Sequence, residues 1–356
     1  MVICGLAVTK ARGLAVLRDL VTARPRNLLV PLIAATTLIV VAACSGGPSP
    51  AVAPSESRFD WKLPAGFPLP LTEPDNLQTP AKFALGRRLF YDRRLSANGT
   101  QSCGDCHQQS RAFTDGRPTA IGSTGQHHTR NAMTLTNAGY NASYTWDSVR
   151  VRSLEQQALV PMFNTHPIEL GVAGHEREIV ARFENDAAMF GEAFHGERHP
   201  LSIRNIAKAL AAFERGLISG HSPYDGLVYG GDDQALSPSA WRGMRLFFTK
   251  RAGCSECHQG FNFGGESRYA GHSKTNPVLV RNGVTEGAFR VPTLRNIELT
   301  APYMHDGSIG TLDEVIEKYV VARKLSLDAS ERADLAEFLR SLTDREFVSD
   351  ARFAAP

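Results

Sequence analysis

The chain has 356 residues, six of them cysteine, and a formal net charge of +3 at neutral pH. Residues 1–43 hold five of the 39 basic residues and a single acid, so the remainder of the chain is close to neutral, and nothing in this balance indicates a nucleic-acid-binding protein. The length is sufficient for two domains, each with a core of its own.

Residues 1–43 are interpreted as an export signal. Arg24 and Arg26 precede an apolar run over residues 28–43. That run is too short to span a membrane comfortably, whereas a basic segment followed by a short apolar core is typical of a secretory signal peptide. The protein is therefore predicted to be exported.

The signal ends in Val-Ala-Ala-Cys at residues 41–44, which resembles a bacterial lipoprotein box. A mature chain beginning at Cys44 would carry a lipid on its thiol, and Ser45 after the cysteine favours the outer membrane. Ordinary cleavage near Ala43, with release into the periplasm, is the alternative. Residues 44–58 are rich in Ser, Pro, Gly and Ala, which predicts a flexible tether.

Two segments of the chain share one pattern. Each opens with an N-cap residue and a proline at the first helical position, Thr79-Pro80 and Ser237-Pro238. Both continue into Gly-x-Arg-Leu-Phe-aromatic and then into a Cys-x-x-Cys-His box. We interpret them as one unit used twice, in which a helix leads into a ligand site.

The two boxes consist of Cys103, Cys106, His107, Cys254, Cys257 and His258. Each is typical of a covalent c-type haem attachment site, in which the thiols bind the haem vinyl groups and the histidine reaches the iron. Zinc knuckles would need two cysteine pairs close together in sequence, and a thioredoxin-like redox pair would leave the histidine unexplained. The sequence therefore predicts two covalently bound c-type haems.

Between the two units, residues 201–219 carry apolar side chains at helical spacing and predict a packed helix that closes the first domain. Residues 225–236 are rich in Gly and Asp and predict a linker. Strict alternation of apolar and polar residues is rare. The expected fold is mainly α, with long loops and two haem domains at 59–225 and 235–356.

The second haem has three candidate distal ligands. Thr311 and Glu314 form a capping box that starts a helix at about Leu312, and Tyr319 lies on its apolar face. A buried tyrosine usually bonds a backbone carbonyl, but a phenolate can also bind ferric haem. Met304 and His305 are the rival ligands. For the first haem, His127 and His128 are candidates; if neither binds, that iron is open to peroxide.

Several motifs resemble the bacterial di-haem cytochrome c peroxidase and MauG superfamily, over nearly all of the mature sequence. They are Arg-Asn-Ala-Met-Thr-Leu-Thr-Asn (130–137), Trp-Asp (146–147), Leu-Glu-Gln-Gln-Ala-Leu-Val-Pro (154–161), Pro-Thr-Leu-Arg-Asn (292–296) and Leu-Thr-Ala-Pro-Tyr-Met-His-Asp-Gly (299–307). Segments 63–68 and 217–225 are most similar to MauG-like enzymes of the MbnH type, associated with methanobactin gene clusters. The resemblance implies two cytochrome c-like haem domains related by internal duplication.

The resemblance also implies roles for individual residues. Tyr319 falls at the distal-ligand position of the second haem, where classical peroxidases have Met. Gln157, Pro161 and Glu169 would line the open face of the first haem, although Glu169 lies two residues further along than the family spacing. Trp146 matches the tryptophan that conducts electrons between the haems.

A structural calcium is implied as well, bound by Asn131 and by the backbone carbonyls of Thr300 and Pro302. The switchable histidine of the peroxidases would fall at Ser123, so that ligand is absent. The surface tryptophan through which MauG oxidises its substrate has no clear counterpart; Trp241 is the candidate.

The function implied by this resemblance is a hydrogen peroxide-dependent oxidase of a partner protein. It would convert a Trp of an MbnP-like copper-binding protein into kynurenine by long-range electron transfer, through a bis-Fe(IV)-type state that the anionic Tyr319 favours. The first alternative is a peroxidase that takes electrons from a small redox protein. The second is a lipid-anchored electron carrier, which His127 or His128 as a ligand would favour.

Overall fold

Helices account for most of the regular structure in this protein. The computed structural model describes residues 58–356, so the predicted export signal, the lipoprotein box and nearly all of the tether lie outside it. Within the described residues the strand-like pairings are isolated bridges. The helices are α1 Pro80–Phe90, α2 Cys103–Cys106, α3 Leu154–Phe163, α4 Glu176–Ala181, α5 Ala187–Ala193, α6 Ile203–Arg215, α7 Pro223–Val228, α8 Pro238–Phe247, α9 Leu312–Ala322 and α10 Ala329–Arg340. The prediction of a mainly α fold is confirmed.

Three helices begin where the sequence predicts. The side chains of Thr79 and Ser237 cap α1 and α8 by accepting a hydrogen bond from a backbone N–H in the first turn, and a proline follows each cap. Thr311 and Glu314 form both bonds of a capping box at the start of α9. These starts depend on contacts within one turn, which is why local sequence specifies them.

Two helix crossings require glycine. At the α1–α6 crossing, a Cβ on Gly86 would lie 1.9 Å from the carbonyl oxygen of Ala209. At the α8–α10 crossing, a Cβ on Gly243 would lie 1.9 Å from the carbonyl oxygen of Asp334. Each helix pair therefore packs at a separation that only glycine permits, and each pair supports one apolar core.

Helix α6 is shorter than the predicted 201–219, because residues after Arg215 bond elsewhere. Gly216 caps the helix, and the carbonyl of Leu217 accepts a hydrogen bond from the backbone N–H of Asn137 at 3.0 Å. The Asn137 side chain accepts a further hydrogen bond from the Ser219 N–H at 2.8 Å. A tertiary contact, invisible to helical periodicity, ends the helix.

The predicted linker 225–236 begins inside α7, which ends at Val228. Asp225 is buried because its carboxylate accepts two hydrogen bonds, of 2.8 and 2.9 Å, from the guanidinium of Arg295. Asp344, also buried, accepts hydrogen bonds of 3.0 Å from the backbone N–H groups of Gly220 and His221. Buried polar contacts thus tie residues near 220 to the carboxyl-terminal half of the chain.

As for membrane-spanning segments, no helix within residues 58–356 is both long enough and apolar enough to cross a bilayer.

The buried pair predicts a large and specific loss of stability. Replacing Arg295 with Met leaves Asp225 buried without its partner, which is expected to lower the free energy of unfolding by about 3–5 kcal/mol. Arg345→Met is the matched control, because Arg345 pairs with Glu298 at the surface and such pairs contribute at most about 1 kcal/mol. Urea unfolding of the haem-loaded proteins measures both values. Equal losses in the two variants would contradict the assigned role of the buried pair.

Candidate haem sites

The two box histidines are oriented in the same way. The Nδ1 of His107 lies 2.8 Å from the carbonyl oxygen of Phe113, and the Nδ1 of His258 lies 3.0 Å from that of Phe263. A carbonyl can only accept, so Nδ1 carries the proton and Nε2 keeps its lone pair. Burial lowers the pKa of both histidines, which keeps them neutral at neutral pH. Both rings are thus prepared to bind a metal through Nε2.

The four box cysteines are free thiols in the structure, so none is used in a disulfide. No group of three or more His, Cys, Asp or Glu within residues 58–356 is arranged to hold a metal ion. The zinc-knuckle alternative therefore finds no supporting geometry in the described part of the chain. Two thiols beside one oriented histidine fit covalent haem attachment.

An apolar cavity of about 260 Å³ adjoins the second box. Its lining includes Cys254, Cys257 and His258 from the box and an aliphatic surface from α9 and α10: Leu312, Val315, Ile316, Val320, Leu335 and Leu339. Haem is a flat, largely apolar ring with carboxylates at one edge, and apolar side chains such as these suit its faces.

Arg290 provides a direct test of whether haem fits this cavity. Among the described residues its buried Nε has no acceptor, and its guanidinium makes one side-chain hydrogen bond, from Nη2 to the Met133 sulfur at 3.5 Å. Burial lowers the pKa of Arg290 to about 10. A buried cation without an anion is unfavourable, and haem carries two carboxylates at its edge. The orphaned guanidinium fits that group.

All three candidate distal ligands of the second haem line the same cavity as His258: Tyr319, Met304 and His305. Within residues 58–356 the Tyr319 hydroxyl bonds no carbonyl; its oxygen lies 3.4 Å from Nδ2 of Asn282. Burial raises the pKa of Tyr319. His305 stacks on Phe289, with ring centroids 4.2 Å apart. The usual partner of a buried tyrosine is therefore missing, which leaves the Tyr319 oxygen available to the cavity.

A smaller cavity, of about 60 Å³, adjoins the first box. Gln157, Pro161 and Glu169 line it together with His107, Cys103 and Cys106, so the structure brings these predicted residues together. The other lining residues are Gln101, Ser102, Leu135, Ala158, Leu170, Leu210 and Glu214. Apart from the box, the lining contains no His, Met or Tyr that could occupy a sixth position on the iron.

Glu169 is held by a close backbone contact, despite its unexpected spacing. A Cβ on Gly122 would lie 1.8 Å from the carbonyl oxygen of Ile168, so only glycine permits this approach. The next residue, Ser123, donates its backbone N–H to the Glu169 carbonyl at 2.8 Å. The position at which the resemblance expects a switchable histidine therefore serves here as a backbone support for Glu169.

The two histidine candidates for the first haem do not line its cavity. His127 is exposed. His128 contacts the cavity only through Glu169, with its Nε2 3.7 Å from Oε1. The geometry gives no support to either as an iron ligand.

Trp146 is bonded to two residues that, like Trp146 itself, line the second cavity. Its indole N–H donates to the carbonyl of Asn131 at 2.9 Å, and its own carbonyl accepts from the Arg290 N–H at 2.7 Å. Its ring lines the second cavity. Trp241, by contrast, lies on α8, packed against the second core.

The predicted calcium ligands also lie together. Asn131, Thr300 and Pro302 all line the second cavity. The Asn131 side-chain nitrogen donates to the carbonyls of Arg117 and Pro118, at 2.8 and 3.3 Å, while its oxygen accepts no hydrogen bond from any described residue. Neutral oxygens of this kind are ligands that Ca²⁺ accepts, so the residues fit that ion.

Sequence reasoning missed two residues of these sites, Arg290 and Glu214. A comparison of the two repeated segments could have revealed both. In the motifs ending at Asn137 and Asn296, Arg290 stands where the first copy has Asn131. In the helices that follow, Glu214 stands where the second copy has Leu339.

Comparisons with known proteins agree with this geometry. The family model for di-haem cytochrome c peroxidases matches residues 80–234. The methylamine utilization protein MauG of Methylorubrum extorquens is 32% identical over 345 residues, covering 88% of this chain and 95% of that protein. The cytochrome c551 peroxidase of Nitrosomonas europaea is 35% identical over 274 residues, covering 73% and 79%. A crystal structure of a MauG-like protein associated with microbial copper homeostasis superposes with a TM-score of 0.80 at 36% identity, covering 84% of this chain and 99% of that one.

The unpaired guanidinium predicts an electrostatic effect on the second site. Arg290→Gln removes a positive charge beside that cavity, which favours ferric over ferrous haem by about 1–2 kcal/mol, the size expected for a unit charge in a protein interior. The midpoint potential of the second haem, measured by spectroelectrochemical titration, should fall. Arg150→Gln, at an exposed position nearby, is the control. Unchanged potentials in both variants would show that Arg290 has no anion in this cavity.

Proposed function

Because this chain belongs to the di-haem cytochrome c peroxidase family, which includes MauG, we propose that it is a peroxide-dependent oxidase of a partner protein. It is an oxidoreductase with two c-type haems. The observation that carries the proposal is the position of Tyr319, which lines the same cavity as His258 and has no carbonyl partner among the residues that the structure describes. An oxygen ligand of this kind favours oxidised iron.

The first cavity is the proposed peroxide site. Bound haem supplies the iron at which peroxide is reduced. The Gln157 amide can donate a hydrogen bond to a peroxide oxygen, and the Glu169 carboxyl can accept or return a proton. Pro161 offers no ligand atom from its side chain. The absence of a His, Met or Tyr from this lining, outside the box, supports an open coordination position.

Trp146 is the proposed route for electrons between the two sites. The support is the family position of this tryptophan together with its hydrogen bonds to Asn131 and Arg290 at the second cavity. The electrons that reduce peroxide would come from a side chain on a docked protein. We propose an MbnP-like copper-binding protein as this partner, with a Trp converted to kynurenine. The 36% identity to a MauG-like protein associated with copper homeostasis supports this choice.

A peroxidase that takes electrons from a small redox protein is the second candidate. Two observations favour it. The cytochrome c551 peroxidase of Nitrosomonas europaea is 35% identical. Met304 also lines the cavity that contains Tyr319 and could bind the second iron in its place. A thioether ligand would raise the potential of that haem, as electron uptake from a carrier requires.

We further propose that the chain arose by internal duplication, with long loops and two haem domains at 59–225 and 235–356. The matching glycine crossings at Gly86 and Gly243 support this origin. We also propose that the protein is exported to the periplasm and anchored in the outer membrane by a lipid on Cys44. The support for this anchor is the sequence pattern alone.

The choice between the two enzymes depends on Tyr319, and its removal is the first test. Without reductant, the diferric protein should show one high-spin and one low-spin EPR signal, and both should vanish after one equivalent of peroxide. Tyr319→Phe should abolish this long-lived oxidised state and the mass change on the partner's tryptophan. Tyr303→Phe is the control, because Tyr303 lines the same cavity but its hydroxyl already donates to the Ile297 carbonyl.

Two low-spin haems that react only after one is reduced, unchanged in Tyr319→Phe, would favour the peroxidase. In that case Met304→Leu should alter the spectrum of the second haem.

The proposed calcium predicts a second, independent effect. Asn131→Ala removes the free amide oxygen, so calcium affinity should fall by at least about tenfold, equivalent to 1.4 kcal/mol. Isothermal titration of chelator-treated protein with Ca²⁺ measures it. Asn98→Ala, at a position whose side chain bonds Ser123 and Thr100 instead, is the control. Retention of full affinity in Asn131→Ala would place the ion elsewhere.

A further inference from the structure

Glu214 is a buried acid that the function proposed so far does not use. It lies on α6 with 5% of its surface exposed, and its Oε2 is buried without a hydrogen-bond partner in the described part of the chain. It lines the first cavity together with His107, Gln157 and Glu169. A buried, unpaired carboxyl is unfavourable for stability, so its presence here needs another explanation.

The second cavity shows that this position does not need a carboxyl for packing. Helices α6 and α10 cross their partners at equivalent points, where Ala209 and Asp334 meet a glycine. Counting from those points, Glu214 corresponds to Leu339, and both residues line their cavities. The same scaffold accepts leucine beside the second box and carries an acid beside the first.

The surrounding charges keep this acid protonated. Burial and, to a smaller extent, the Glu155 carboxylate raise the pKa of Glu214 to about 8, against the opposing effect of Arg215. Glu155 faces it from α3 and bonds Arg215 and Asn76, which holds Glu155 ionised. Across the cavity lie Glu169 and the thiols of the first box, which haem attachment consumes. Glu214 is therefore protonated at neutral pH.

We propose that Glu214 is a proton donor of the first cavity, which supplies one of the two protons that peroxide reduction consumes there. The inference rests on the proposed peroxide function. The balance is H₂O₂ + 2 H⁺ + 2 e⁻ → 2 H₂O: the O–O bond breaks, and the electrons come from the oxidised partner. The Glu214 O–H bond breaks as one peroxide oxygen takes the proton, and solvent later restores it. The second proton comes from solvent.

The first measurement needs no peroxide. In the diferric holoprotein, infrared difference spectra between neutral and alkaline pH should show the C=O stretch of a protonated carboxylic acid, lost on alkalinisation with a midpoint near pH 8. This band should be absent from Glu214→Gln. It should persist in Glu192→Gln, which removes an exposed carboxyl of α5. An unchanged band in Glu214→Gln would overturn the proposal.

The second measurement is the rate at which one equivalent of peroxide bleaches the diferric spectrum, followed by stopped flow. An acid donor acts only in its protonated form, so the wild-type rate should fall as pH rises through about 8. Glu214→Gln should react about 100-fold more slowly at neutral pH, and its rate should lose this pH dependence. Glu214→Leu introduces the residue found at the equivalent position, Leu339, of the second cavity and leaves no unpaired polar group. Its reaction with peroxide should also be slow and independent of pH.

The outcomes separate this inference from the function on which it rests. Wild-type rates and pH profiles in Glu214→Gln and Glu214→Leu would overturn the role of Glu214 and leave the peroxide function intact. A wild-type protein that does not react with peroxide would overturn both. Slow, pH-independent reaction in both variants, with Glu192→Gln unchanged, would establish the donor.

Discussion

One hydrogen bond, made twice, determines the rest of this molecule: an imidazole Nδ1 donates to the carbonyl of a phenylalanine a few residues further along. Phe113 and Phe263 both have positive φ, 63° and 46°, an unfavourable backbone region for a bulky residue. The chain adopts it because the tight turn returns the carbonyl to the histidine. Each ring is thereby fixed in tautomer and direction, with its Nε2 lone pair left to bind a metal.

From that shared framework the two sites diverge in what surrounds them. The second cavity is large, apolar and bordered by a tyrosine, a methionine and a histidine. The first is small and carries two amides and two acids, and one of the acids has a buried oxygen without a partner in the described part of the chain. Hydrogen-bond donors and acids suit a polar substrate that takes up protons, whereas an apolar wall with an oxygen ligand suits the storage of oxidising equivalents. The different chemistry of the two sites therefore depends on a few cavity-lining residues, while the surrounding fold is shared.

Sequence alone predicted the features that depend on neighbours in the chain. The caps at Thr79, Ser237 and Thr311 follow from one helical turn, and the face of α9 that carries Tyr319 follows from periodicity. It could not predict features that depend on distant partners. Helix α6 ends at Arg215 and the residues after it bond Asn137 instead, and Asp225 is buried because Arg295 reaches it. Glu214 escaped notice because periodicity shows only that its helix is packed, not which cavity the side chain faces.

The Asp225–Arg295 pair also bears on how such a protein can change over evolution. Its acid lies at the end of one half of the chain and its cation in the other, and both are buried. A polypeptide consisting of either half alone would contain one of these two charged side chains without the partner that neutralises it. The two halves are therefore not interchangeable modules: recombination that transplants one of them must carry a compatible charge with it.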